Sequence, residues 1–200
     1  MFRRVLLSLL LVLGCAVGSQ AAEDAPHQDK VLELDQVPSG GDFTLQSIKG
    51  PVSTRDLRGK VLILYFGYTK CPDVCPTSLA FITQALSELS PEELQQVVGL
   101  FISVDPKRDN VQVLADYVAY FHESFIGLTG SADEIAAVAK LYGAQYHEVQ
   151  LPGSAFGYSV NHSSATYLID KKGMLRLMFP HQTEPSIMLE GLRYLMAEGS

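Results

Sequence analysis

The 200-residue chain has no tryptophan, only three cysteines, and fewer cations than anions: 15 Lys plus Arg against 22 Asp plus Glu. Each scarcity excludes something. Three cysteines cannot build the disulfide framework of a small secreted scaffold, so any function they carry comes from their placement. A formal charge of −7 argues against nucleic acid or an anionic membrane surface as the main partner. What remains is 47% hydrophobic and 18% charged, the balance of one ordinary folded domain. A chain this long buries a sizeable core without covalent staples.

Residues 1–21 read as an export signal. Arg3 and Arg4 precede an apolar run from Val5 to Leu13, broken only by Ser8, and Ser19-Gln20-Ala21 fits a small-x-small cleavage site. The run falls short of the roughly 20 residues that span a bilayer. Extension through Ala16-Val17-Gly18 would turn it into a retained anchor. Val12-Leu13-Gly14-Cys15 partly matches a bacterial lipoprotein box, with Leu13 bulkier than the small residue usual there. All three alternatives place the domain outside the cytoplasm, in the periplasm or tethered near the inner membrane. Loss of 1–21 leaves 13 cations against 22 acids, a charge of −9, and only Cys71 and Cys75. Residues 22–40, with Pro26, Pro38, Ser39 and Gly40, read as a tether, and 41–200 as the domain.

Within the domain, strand and helix patterns alternate. Val61 to Gly67 is a continuous apolar run suited to a strand buried on both faces. Leu79, Ile82, Leu86 and Leu89 predict a helix over Pro76–Leu89. Ser90-Pro91-Glu92-Glu93 opens a short helix, Val97–Val104 is a second strand, and a helix is expected at about 110–121. Ser131 and Glu134 cap another helix. Ala165–Ile169 and Met174–Phe179 flank Asp170-Lys171-Lys172-Gly173, a hairpin signal, and a final helix runs from about Glu184 to Ala197. The order implies an α/β sheet with helices on both sides and an antiparallel hairpin at one edge. Ligands in such sheets bind beyond the carboxyl ends of the parallel strands.

That is where Tyr68-Thr69-Lys70-Cys71-Pro72-Asp73-Val74-Cys75-Pro76 stands. If the segment is helical, the two cysteines share a face with Cβ atoms about 5–6 Å apart. Both sulfurs can then converge on one metal ion, or close a disulfide after modest adjustment. A helix N-terminus lowers thiol pKa, and thiolates are both soft metal ligands and the nucleophiles of disulfide exchange. A structural disulfide is the plainer alternative in an oxidising compartment.

The segment from Gly59-Lys60-Val61 through Tyr65-Phe66-Gly67-Tyr68-Thr69-Lys70-Cys71-Pro72-Asp73-Val74-Cys75-Pro76 resembles the signature of the Sco/SenC family. Ser103-Val104-Asp105-Pro106-Lys107-Arg108-Asp109 resembles the family's second motif, and Tyr158-Ser159-Val160-Asn161-His162-Ser163 its third. The likeness runs from about Phe43 to the C-terminal helix. It implies a thioredoxin-like, peroxiredoxin-related fold and a copper-binding protein serving assembly of the copper A centre of cytochrome c oxidase. Cys71, Cys75 and His162 correspond to the family's ligands. Two thiolates and an imidazole suit copper(I), and also hold copper(II). Asn161 departs from the acid common at that position, which weakens any tuning of the histidine but leaves the ligand. The implied partner is subunit II of the oxidase; a periplasmic copper donor and a thioredoxin-like reductant are further candidates.

The chain also differs from ordinary thioredoxins, whose cysteines are two apart and follow a tryptophan. Where they place a cis-proline this chain has Ser164, with His162 close by, which favours metal binding over general disulfide exchange. Three functions are therefore in play: a copper metallochaperone, a thiol–disulfide oxidoreductase, and a thiol peroxidase suggested by Val74-Cys75-Pro76-Thr77 but opposed by Pro72. His162 discriminates the first two, because exchange needs only the cysteines. Without the resemblance, His162 reads as a satisfied polar residue. Asp105 and Asp109 read either as a turn plus the N-cap of the following helix, or as docking or tuning residues. His122 is expected at a helix end, His27, His147 and His181 at the surface, and Met174, Met178, Met188 and Met196 in the core.

Overall fold

The computed structural model describes residues 38–198. The export-signal and lipoprotein-box readings, His27 and most of the tether lie outside them. The described chain opens with a hairpin of β1 (Thr44–Ser47) and β2 (Gly50–Ser53). Next comes β3 (Val61–Gly67), all seven residues buried, as its unbroken apolar run requires. After a six-residue turn come α1 (Val74–Ser87), the one-turn α2 (Pro91–Leu94), β4 (Val97–Ser103), α3 (Val111–Ala119) and β5 (Phe125–Leu128). The remainder is α4 (Ala132–Leu141), β6 (Tyr146–Gln150), β7 (Tyr158–His162), β8 (Thr166–Ile169), β9 (Leu175–Phe179) and α5 (Pro185–Ala197).

The central sheet has the order β5-β4-β3-β8-β9. β3 pairs in parallel with β4, and β4 with β5, while β8 runs antiparallel to β3 and forms the edge hairpin with β9. On the Tyr65 side of the sheet, α1 brings Cys75 against Gly67, α3 stacks Tyr117 on Phe101, and α5 lays Gly191 over Phe179 and Leu177. On the opposite side, Phe66 meets Tyr142, just past α4, and Tyr167. Each large apolar side chain fully withdrawn from water contributes about 1.5–3 kcal/mol, so β3 is the thermodynamic spine.

Capping chemistry placed several helix starts where the sequence expected them: Ser90 and Ser131 both form complete capping boxes, with Glu93 and Glu134. Five strands were not anticipated. β5 is four residues long and contains Gly127, so it carries no usable period; a Cβ at Gly127 would lie 2.7 Å from Leu114 of α3. The β1–β2 and β6–β7 hairpins are half-exposed and built on polar sequence. Met174 and Met178, expected in the core, are exposed at 54% and 48%, whereas Met188 and Met196 are buried. β9 is an edge strand whose 174, 176 and 178 side faces solvent.

Candidate metal centre

Cys71, Cys75 and His162 meet at the carboxyl end of β3. Their ligand atoms all lie within 4.8 Å of one another. Three ligands around one ion at metal–sulfur distances of about 2.3 Å stand about 4 Å apart, so the cluster is of a size to close on a single ion. Both cysteines are free thiols. They do not share a helix face: α1 begins at Val74, so Cys75 sits in its first turn while Cys71 lies in the preceding turn, its N–H donating to the Tyr68 carbonyl at 3.2 Å. Pro72 stands just ahead of Asp73, the N-cap of α1, and the convergence comes from the turn rather than from helical periodicity.

The two thiols have opposite electrostatics. Cys71 is lowered from 9.0 to about 4, chiefly by a hydrogen bond from Cys75 and further by the backbone N–H groups of Asp73 and Cys75 at the start of α1. Cys75, wholly buried, is pushed up, first by desolvation and then because it donates to Cys71.

His162 ends β7. Its Nδ1 lies 2.9 Å from the carbonyl of Ser163, which can only accept, so Nδ1 carries the proton. In the neutral ring Nε2 then presents its lone pair, 3.3 Å from Cys75 Sγ. A backbone carbonyl thus orients the ring, the part a carboxylate would play. Asn161 takes no part: it is exposed and lies 3.4 Å from His147 across the hairpin. The imidazole stands edge-on to Tyr65 and Tyr68, with ring centroids 6.4 and 5.8 Å away. Its outer side lines an open depression of about 240 Å³ shared with Gln145, His147, Asn161 and Ser163.

The close approach of Cys75 to the sheet depends on Gly67. A Cβ there would stand 2.7 Å from Cys75 Sγ and 2.9 Å from the Phe101 ring. No sequence pattern singles out this glycine beyond its place at the end of β3.

Asp109 does not cap α3; Asn110 does, accepting from the Val113 N–H at 3.0 Å. Asp109 is fully buried instead, and accepts from the Thr69 N–H (2.9 Å), the Thr69 hydroxyl (2.6 Å) and the Ser103 hydroxyl (2.7 Å). It ties the turn leading to Cys71 to the end of β4. Asp105, also buried, pairs with Arg108 and accepts from the Tyr158 hydroxyl at 2.7 Å. His181 is half-buried rather than superficial, with Nδ1 2.9 Å from the Ser78 hydroxyl on α1. His122 Nδ1 accepts from the Ser124 N–H at 3.1 Å, a turn contact after α3.

A parallel core flanked by helices, with a cysteine pair at the strand-to-helix turn and a histidine ahead of the antiparallel strand, defines a thioredoxin-like protein with a soft-metal ligand set. The chain belongs to the SCO1/SenC family, whose profile matches residues 33–197. It is 39% identical over 193 residues to a SCO2-like protein of Rickettsia conorii, covering 94% of each chain. It also resembles Bradyrhizobium japonicum ScoI, solved with copper bound, at 34% identity and a TM-score of 0.70, over 78% of this chain and 98% of that one. BsSco, a member of the Sco family of cytochrome c oxidase assembly proteins in which a disulfide switch has been identified, matches at 26% identity and a TM-score of 0.63, over 80% of this chain and 94% of that one.

Proposed function

We propose that this chain is a copper carrier that holds the ion on Cys71, Cys75 and His162 and hands it to, or prepares, the copper A site on subunit II of cytochrome c oxidase. The observation that carries the reading is the meeting of two sulfurs and one imidazole nitrogen within 4.8 Å. Two soft sulfurs and one imidazole favour copper(I) and also hold copper(II). Three ligands leave the ion open to attack, so an incoming thiolate displaces one ligand at a time without releasing free ion. His162, lining an open depression, is the ligand an incoming group reaches from outside. Asp109 tunes the centre by fixing the turn before Cys71, and Asp105 does so through its contact to the strand that ends in His162.

On this reading residues 1–21 serve for export or anchoring, with Cys15 as a lipid attachment site if that signal is used. Residues 22–40 are then a tether and 41–200 the copper-binding domain, working in the periplasm close to the inner membrane. An exported donor loads it.

The unequal thiols favour a second activity of the same pair. The Cys71 thiolate attacks a substrate disulfide, forming a mixed disulfide and releasing one substrate thiolate. Cys75 gives its proton to the substrate thiolate released first, then attacks the Cys71 sulfur and releases the second thiolate, leaving the substrate reduced and Cys71–Cys75 oxidised. A thioredoxin-like reductant restores the dithiol.

The test is copper stoichiometry on the purified chain and on Cys71→Ala, Cys75→Ala and His162→Ala, each loaded separately with copper(I) and copper(II). One ion per wild-type chain, with tight binding lost in all three variants, is expected. Retention of wild-type affinity in any of them removes that residue from the centre.

A further inference from the structure

β6 and β7 form a two-stranded sheet of their own, separate from the five-stranded one. The ladder that fixes Cys75's neighbourhood therefore does not fix His162. Within the hairpin the bonds are local: the Ser163 N–H donates to the Gln145 carbonyl at 2.8 Å, and the Gln145 N–H to the Ser163 hydroxyl at 2.6 Å. Something else must hold the whole hairpin against the body.

Arg108 occupies that position. Its guanidinium carbon lies 3.7 Å from the centre of the Tyr158 ring, and Nη1 donates to the carbonyls of Tyr158 (2.9 Å) and Phe156 (3.2 Å). Nε pairs with Asp105, whose other oxygen takes the Tyr158 hydroxyl. The same guanidinium stands 5.7 Å from the Tyr68 ring. Tyr68 accepts from the Val160 N–H at 3.3 Å and sets its ring edge-on to His162. A continuous path thus runs from Arg108 through Tyr68 and Tyr158 to the strand bearing the histidine.

The other cross-link from the same loop, Lys107 with Glu148, has side chains 67% and 39% exposed. Such a surface pair is worth about 0–1 kcal/mol. The Arg108 and Asp105 side chains, only 19% and 1% exposed, reach the hairpin instead through charge-assisted bonds to the Phe156 and Tyr158 carbonyls and the Tyr158 hydroxyl. The buried clamp outweighs the exposed one.

We propose that Arg108 is a positioning residue for the metal centre, the strut that keeps the His162 hairpin closed over Cys71 and Cys75. The inference rests on the copper reading above for its consequence, but not for its geometry. If the closed hairpin is only fractionally populated, copper affinity falls by that fraction.

Two measurements on the full-length chain test it. In the metal-free protein, amide hydrogen exchange across 146–163 is expected to quicken in Arg108→Ala, and to a smaller extent in Tyr158→Phe, while the β3 amides keep their protection. Unchanged exchange in the hairpin overturns the proposal without reference to copper. In the loaded protein, Arg108→Ala is expected to weaken copper(I) binding about 10–100-fold in a competition with a coloured chelator. The double variant Arg108→Ala/His162→Ala should be no weaker than His162→Ala alone, because both changes remove the same ligand. Additive losses would show that Arg108 acts on the fold at large and overturn the assignment. A wild-type chain that binds no copper defeats the carrier function, and the exchange result then decides the strut separately.

Discussion

His162 Nε2 stands 3.3 Å from Cys75 Sγ across 87 positions of sequence, and the carbonyl of Ser163 holds the proton-bearing nitrogen on the other side of the ring. The imidazole is thus delivered to the thiols as a ready ligand, with its donor atom free. That relationship separates the two chemistries open to this site, since only one of them uses the imidazole.

Replacing His162 by alanine is therefore expected to abolish tight copper binding while Cys71 and Cys75 still cycle between dithiol and disulfide. Chelator competition and a thiol titration after dithiothreitol treatment read the two properties independently. Copper affinity equal to wild type in this variant would remove His162 from the ligand set.

The two thiols should alkylate at very different rates. Cys71, depressed to about 4 by its bonds from Cys75 and the α1 backbone, is expected to react with iodoacetamide at pH 6, where an ordinary thiol is almost wholly protonated. Cys75, buried and raised, should lag far behind until the protein unfolds. The linked stability has a definite sign. A depressed folded-state value makes the Cys71 thiolate stabilising above the ordinary thiol pKa, and that contribution fades as the pH falls toward about 4. Melting in the metal-free chain, compared with Cys71→Ser, should show the wild type losing its advantage on acidification; a pH-independent difference would contradict the shift.

Gly67→Ala places a methyl group 2.7 Å from Cys75 Sγ and 2.9 Å from the buried Phe101 ring. Overpacking of this kind costs about 1–3 kcal/mol. The displaced sulfur should also weaken copper binding. A denaturant melt and chelator competition together check this, and a variant wild-type in both would mean the first turn of α1 shifts freely.

Asp109→Ala leaves the Thr69 N–H and the Thr69 and Ser103 hydroxyls without their acceptor. Each buried donor so orphaned costs about 1–3 kcal/mol, so a loss of several kcal/mol is expected by denaturant unfolding. Asp109→Asn, which keeps an acceptor oxygen, should lose less. A helix cap would instead cost about 1 kcal/mol, and Asn110 already fills that role.

Much of the scaffold was legible along the chain. The Val61–Gly67 run, the Ser90 and Ser131 capping boxes and the Asp170–Gly173 turn each carry a local signal that acts within a few residues, and the elements formed where those signals lie. The hairpins β1–β2 and β6–β7 were not legible, because half-exposed polar strands show no strong period and their pairing depends on what they dock against. The cap alternative for Asp109 failed for a related reason: it stands one residue before a helix, the local pattern of a cap, but its partner Thr69 is 40 positions away.

By itself the sequence determined which chemistry was on offer: two thiols at the mouth of a buried strand, and a histidine inside a motif that resembles a copper-binding family. Only the folded chain decided that Cys71 would be the acidic sulfur and Cys75 the more deeply buried one, that the Ser163 carbonyl would face the histidine Nδ1, and that Arg108 would lie against the hairpin bearing it. The division follows from range. Helix caps, turns and apolar periods are short-range effects written in neighbouring residues, whereas burial, hydrogen-bond partners and ring stacking belong to groups that only the packed fold brings together.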